Sequence, residues 1–307
     1  MCTIATIASL GIALTLFFAP SLLMPCPVPD VVSCGNDVRP IHPPPRMNAS
    51  CPITWVTAYF RTPSKHSLEE YNEWIRNMQA IDMCLVVYTD SLDLWSTSST
   101  TVVIRTNLCS VASYHLNLTM VEWQMEFSMD PECHIHQHYQ LYWVWALKAF
   151  FLNATAVADP FGSENFFWID SGYFRDHSHD GLDIRATRTS LVRRDAIAFL
   201  QINPFTAGEL DGFAQGELDG FIKPVLHDRI TGGLFGGDAV AVQSWCERYK
   251  RMLAFYHSKG WFIGKDQTVM ASTCLETPEL CQRIEPNPLI KINPWSSLFV
   301  SITTTVV

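Results

Sequence analysis

The chain has 307 residues, 48% apolar and 17% charged, which supplies ample core for one large α/β domain or two small ones. Its 30 Asp and Glu against 21 Lys and Arg give a net charge of -9. Binding to a polyanion needs clustered basic side chains, and there is no such cluster, so the balance argues against nucleic acid as a partner and leaves a small anionic ligand open.

Thr3 to Met24 form an uncharged apolar run of roughly 22 residues, long enough to cross about 30 Å of hydrocarbon. Residues 1–24 therefore read as a transmembrane signal anchor or a signal peptide. The length favours the anchor, because a signal-peptide apolar core is about 7–15 residues. Neither Lys nor Arg precedes the run, which leaves its orientation open. Pro25 to Pro52, with Pro43-Pro44-Pro45 at its centre, reads as an extended luminal stem. Three sequons, at Asn48, Asn117 and Asn153, join the leader in pointing to the secretory pathway, in the Golgi or ER. The 10 cysteines suit that compartment, and without a CxxC pair a thiolate zinc site is disfavoured. Cys274 and Cys281 are the expected local disulfide, while Cys84, inside an apolar strand-like run, is expected as a buried thiol.

Residues 53–307 then form the folded domain, opening with a strand at Ile53 to Phe60. Ser67 and Glu70 make a capping box, and the helix it starts puts Leu68, Tyr71, Trp74, Ile75 and Met78 on one face. Strands follow at Met83 to Thr89 and Thr101 to Arg105. A helix over Gln137 to Leu152, apolar nearly all round, is expected to be buried on most sides. Strand Phe166 to Ile169 follows, then a polar loop and strand Ala196 to Ile202. Asp238 caps a long helix that ends at Gly260. Strands alternating with helices predict an α/β fold with a mostly parallel sheet flanked by helices. Gly208 to Phe213 recurs as Gly216 to Phe221, a local duplication rather than a solenoid.

Two apolar strands end abruptly in an acid, Asp90 and Asp170, as expected where a ligand crevice lies at the strand ends of an open sheet. Thr231-Gly232-Gly233-Leu234-Phe235-Gly236-Gly237-Asp238 reads as a glycine-rich approach to a helix, allowing backbone amides close to a ligand. It is neither GxGxxG nor a P-loop. Asp266 beside Gln267 pairs a carboxylate with an amide able to orient hydroxyls. His134, His136 and His138 alternate and would share one face of a strand as metal ligands do, and His177 with His179 forms a second candidate cluster. No G-x-S-x-G and no H-E-x-x-H is present.

Trp55 to Arg61, Glu70-Tyr71 with Trp74, Val86 to Asp90, Lys148, Phe167 to Arg175, Gly232 to Gly237 and Lys265 to Gln267 occur in that order. The series resembles the HtrL/YibB-like family, whose members are regarded as GT-A-type, nucleotide-diphospho-sugar glycosyltransferases. The resemblance implies a nucleotide pocket at Thr57, Ala58 and Tyr59, with Asp90 near the base or ribose and Lys148 towards the diphosphate. Asp170 would hold Mn2+ or Mg2+, although the usual Asp-x-Asp is here Asp170-Ser171-Gly172. Gly232, Gly233 and Gln267 would shape the sugar side, with Asp266 or Asp238 at the reacting carbon or the acceptor. The implied reaction moves a sugar from a nucleotide-sugar donor to a hydroxyl acceptor on a glycan, lipid or protein. The alternatives are a non-catalytic carbohydrate-binding domain on the same fold and a metal-dependent hydrolase built on the histidines.

Overall fold

A computed structural model describes residue 26 and residues 29–35, 37–175, 192–214 (backbone alone at 211–214), 228–286 and 299. The apolar leader, the His177 and His179 cluster and the second copy of the duplicated hexapeptide lie outside the described residues.

A 7-stranded sheet carries the fold. Its strands are β1 (Ile53–Tyr59), β2 (Cys84–Thr89), β3 (Thr101–Arg105), β4 (Asn165–Ile169), β5 (Ile197–Gln201), β6 (Ile230–Asp238) and β7 (Cys281–Ile284), in the order β3-β2-β1-β4-β6-β5-β7. β1 runs parallel to β2 and β4, β2 to β3, and β5 to β7, while β6 lies antiparallel between β4 and β5. The mostly parallel sheet is thus as expected. β1, β2 and β4 are buried at every position, which is why they read as unbroken apolar runs rather than alternating ones.

Helices cover both faces. On one side α1 (Leu68–Ala80) buries Trp74, Ile75 and Met78, opened by the Ser67–Glu70 capping box, while Leu68, expected on the same stripe, stays exposed. On the other side α5 (Gln140–Ala158), α7 (Ala239–Ser258) and α8 (Asp266–Glu276) join the larger core. α5 is apolar all round because it is wrapped all round: Tyr142, Trp143, Leu147 and Phe151 are buried. Its length and composition would suit a membrane span, yet it is a core helix.

Four expectations are corrected. Thr231 to Gly237 lies in a central strand rather than a glycine-rich approach to a helix, and only its amino half, Thr231 to Leu234, faces the cleft. A Cβ on Gly236 would strike the Phe166 carbonyl and come within 2.6 Å of Phe167 Cα, and one on Gly237 would strike the Ala196 carbonyl, so these glycines serve close strand approach. His134 and His136 lie in a short helix, α4 (Cys133–His136), with His134 exposed and His136 buried, so they share no strand face. The stem is extended but does not stand off the domain. Cys26–Cys133, Cys34–Cys109 and Cys51–Cys84 tie it down, Ile41 is buried in the core, and Val32 N–H donates to the Tyr139 hydroxyl at 2.8 Å. Cys84 is therefore a disulfide partner rather than a free thiol, whereas Cys246 on α7 is buried and free. Cys274–Cys281 forms as expected. The four pairs are consistent with an oxidising secretory compartment.

Candidate active site

From β1 the chain crosses through α1 to β2 and on to β3, then returns through α2 (Leu108–His115), α3 (Met120–Met129), α4 and α5 to β4 on the far side of β1. The strand order thus reverses between β1 and β4, and at such a switch point the crossovers diverge and leave a crevice beyond the carboxyl ends. A cleft of about 610 Å³ opens there, bounded by Ala58 to Phe60 at the end of β1, Asp170 to Tyr173 after β4, the amino half of β6 and the start of α8.

Its floor is an acid–lysine–acid triad. Leu141, Val144, Trp145 and Lys148 recur at helical spacing along the face of α5 that meets the cleft. Lys148, 3% exposed, donates from Nζ to the Gly232 carbonyl at 3.0 Å and to Asp170 Oδ2 at 3.3 Å, and lies in ion-pair contact with Asp170 Oδ1 at 2.9 Å and Asp266 Oδ2 at 2.8 Å. Asp266 Oδ2 lacks a hydrogen-bond partner by angle, so its contact with the ammonium is an ion pair. Burial opposes the charge on Lys148, but Asp170 and Asp266 outweigh it and hold the ammonium above its ordinary pKa. Burial likewise raises the pKa of Asp266, tempered by Lys148. The two acids differ in access: Asp170 is 39% exposed and Asp266 5%.

Every neighbour of the triad is shaped to it. The Trp168 indole N–H donates to Asp170 Oδ1 at 2.7 Å, and the Asp170 amide donates to the Gly233 carbonyl at 2.9 Å. Gly232 has to be glycine, because a Cβ there would meet Asp266 Oδ2 at 2.7 Å. Gln267 donates from its amide to Asp266 Oδ1 at 2.9 Å and from Nε2 to the Ile230 carbonyl at 3.0 Å. Thus Asp170, Lys148, Gly232, Gly233, Asp266 and Gln267 are brought together from β4, α5, β6 and α8.

Tyr59 lines the outer wall, its ring 5.1 Å from that of Tyr71, and burial followed by Tyr71 pushes its phenol up to about 12. Thr57, two residues before Tyr59 and so on the same face of β1, is fully buried under the sheet's helical cover and does not line the cleft. Asp90 also stands outside it, accepting from Ser91 Oγ at 2.6 Å in the turn after β2. Asp238 is corrected to a helix cap: Oδ1 accepts from the Ala241 amide at 2.8 Å and Oδ2 from the Asp195 amide at 2.7 Å. Six residues of antiparallel strand separate it from Gly232, about 20 Å, which places it at the opposite end of the sheet.

Several cleft residues escape a reading of the sequence. Lys65, His66 and Arg175 gather at the outer rim, where Arg175 stacks 4.6 Å from the Trp74 ring and donates to the Gly172 carbonyl at 2.9 Å. Burial and then the Arg175 charge lower the pKa of His66. On the opposite wall His136 Nδ1 donates to buried Asp130 Oδ2 at 2.5 Å, an oxygen that also accepts from the Tyr142 hydroxyl at 2.5 Å. Lys265 sits 2.9 Å from Asp228 and 3.5 Å from Glu132.

A divalent cation such as Mn2+ or Mg2+ takes about six oxygen ligands and few positive neighbours. Here the oxygens of Asp170 and Asp266 already face an ammonium, one Asp170 oxygen also holds the indole N–H, and no group of three or more His, Cys, Asp or Glu gathers among the described residues. This donor set does not suit a metal at Asp170. Models of known protein families and the curated proteins give no match to this chain.

Proposed function

We propose that the chain is a glycosyltransferase of GT-A-like fold in the lumen of the secretory pathway, taking a nucleotide-sugar as donor and a hydroxyl group on a glycan, lipid or protein as acceptor. The observation that carries this reading is the acid–lysine–acid floor at the switch point of a mostly parallel sheet. The resemblance of the motif series to the HtrL/YibB-like family supports it. So do the sheet order and the single antiparallel strand, which put Gly232 and Gly233 beside the strand-end acid.

Half-exposed Asp170 accepts hydrogen bonds from donor-sugar hydroxyls, and Asp266 with Lys148 fixes its orientation. Tyr59 and Tyr71 give the nucleotide an aromatic wall. In transfer, the acceptor oxygen bonds to the anomeric carbon, the bond from that carbon to the phosphate oxygen breaks, and its electron pair leaves with the nucleoside diphosphate. The acceptor proton needs a base. His136 is arranged for this, with Nδ1 anchored on Asp130 and, among the described residues, no partner on Nε2 at the cleft wall.

The test is thermal unfolding of the purified full-length chain against a panel of nucleotide-sugars, beside Asp170→Asn. One donor at about 100 times its Kd should add about 2.7 kcal/mol, read as a rise of several degrees, and lose that effect in the variant. Release of nucleoside diphosphate on adding acceptor glycans completes the case. Protection without release in any acceptor mixture would favour the carbohydrate-binding alternative, and no protection by any donor would remove the transferase reading.

A further inference from the structure

Four basic and four acidic side chains line the cleft, and they are distributed unevenly. Lys148 lies between Asp170 and Asp266, and Lys265 between Asp228 and Glu132, so each of these lysines is outnumbered by its carboxylates. Among the described residues, Lys65 and Arg175 have no carboxylate within ion-pair reach. Both stand at the rim beside His66, whose Nε2 is buried and without a hydrogen-bond partner. The cleft is therefore polarised, with a positive rim near Tyr59 and Tyr71 and a negative floor around the triad. A ligand with an anionic group at one end and hydroxyls at the other matches that polarity.

We infer that the cleft binds a diphosphate-bearing ligand without a divalent cation, with Lys65 and Arg175 taking the diphosphate at the rim while Lys148 fills the space between the two carboxylates. This rests on the proposed transferase reading and specifies where the donor's charge is met. The guanidinium of Arg175 is pre-oriented by the Trp74 face and the Gly172 carbonyl, which lowers the entropy lost when its remaining N–H groups take phosphate oxygens. Because Lys65 and Arg175 are exposed, binding should weaken as salt rises.

Inorganic pyrophosphate is the probe, titrated calorimetrically into the full-length chain in EDTA, and again with Mn2+ or Mg2+ at corrected free-ligand concentrations. Binding is expected in EDTA, unimproved by metal, and at least tenfold weaker in Lys65→Ala and in Arg175→Ala. Both substitutions are at exposed positions, so the fold should survive, as checked by unchanged melting of the free proteins. Binding that requires metal, or that both variants leave intact, would overturn the inference and leave the transferase reading standing. No pyrophosphate binding, in a chain that a nucleotide-sugar still protects, would also overturn it alone. Absence of both would remove inference and reading together.

Discussion

Lys148 is the sole charge on an otherwise apolar helix, and its burial is tolerable only because two carboxylates and a carbonyl face its ammonium. In the chain Lys148 stands out only through the family resemblance, and the identity of its partners is not legible there. The resemblance put Lys148 against a diphosphate, whereas its ammonium faces Asp170, Asp266 and the Gly232 carbonyl. Lys148→Met should cost about 3–5 kcal/mol, since it strands the buried carboxylate of Asp266. Adding Asp266→Asn should return part of that loss, because the stranded charge is then gone. Urea unfolding of the two single variants and the double variant checks this, and strictly additive losses would count against the ion pair. Asp238 illustrates the opposite case: an acid before a helix reads equally as a cap or as chemistry, and only its distance along β6 from the cleft decides for the cap.

Among the elements, β6 departs furthest from its local signals. Four glycines in seven residues carry no strand propensity, so Thr231 to Gly237 reads as a loop until its neighbours are in place. In the sheet the same glycines become necessities of two kinds. Gly236 and Gly237 admit the backbones of β4 and β5, while Gly232 and Gly233 leave room for the carboxylates of Asp266 and Asp170. Gly236→Ala should therefore destabilise by about 3 kcal/mol or more, because the added methyl meets backbone that cannot yield. Gly208→Ala, in helix α6 (Ala207–Ala214) where a Cβ meets nothing within 4 Å, should be neutral or stabilising by up to about 1 kcal/mol. Denaturant midpoints compare the two, and equal effects would argue against the close packing of β6. Where local signals agree with context, the reading holds: α1 begins at its capping box, Asp238 caps α7, which runs to Ser258, and Gly260 follows it with φ +66°.

For the molecule as a whole, three of the four disulfides pin the amino-terminal segment across the domain, closing separations of 107, 75 and 33 residues. Such loops restrict the unfolded chain strongly. Removing the Cys34–Cys109 link by a paired Ser substitution should cost up to about 4 kcal/mol, seen as a lower unfolding midpoint, whereas an unchanged midpoint would mean the segment adds no stability. Sequence by itself determined what is local: strands β1 to β5, helices α1, α5 and α7, the α/β class, the short Cys274–Cys281 pair, and an acid delivered to a strand end at Asp170. These follow from periodicity, caps and run lengths, which act over a few residues. Tertiary structure alone decided that β6 runs antiparallel within the sheet, that the stem is strapped to the domain, and that Lys148, Asp170, Gly232 and Asp266 meet at one point. Those four residues come from four separate elements, and their meeting depends on the sheet order and on the direction each side chain takes from its strand or helix. No local pattern in the chain encodes either.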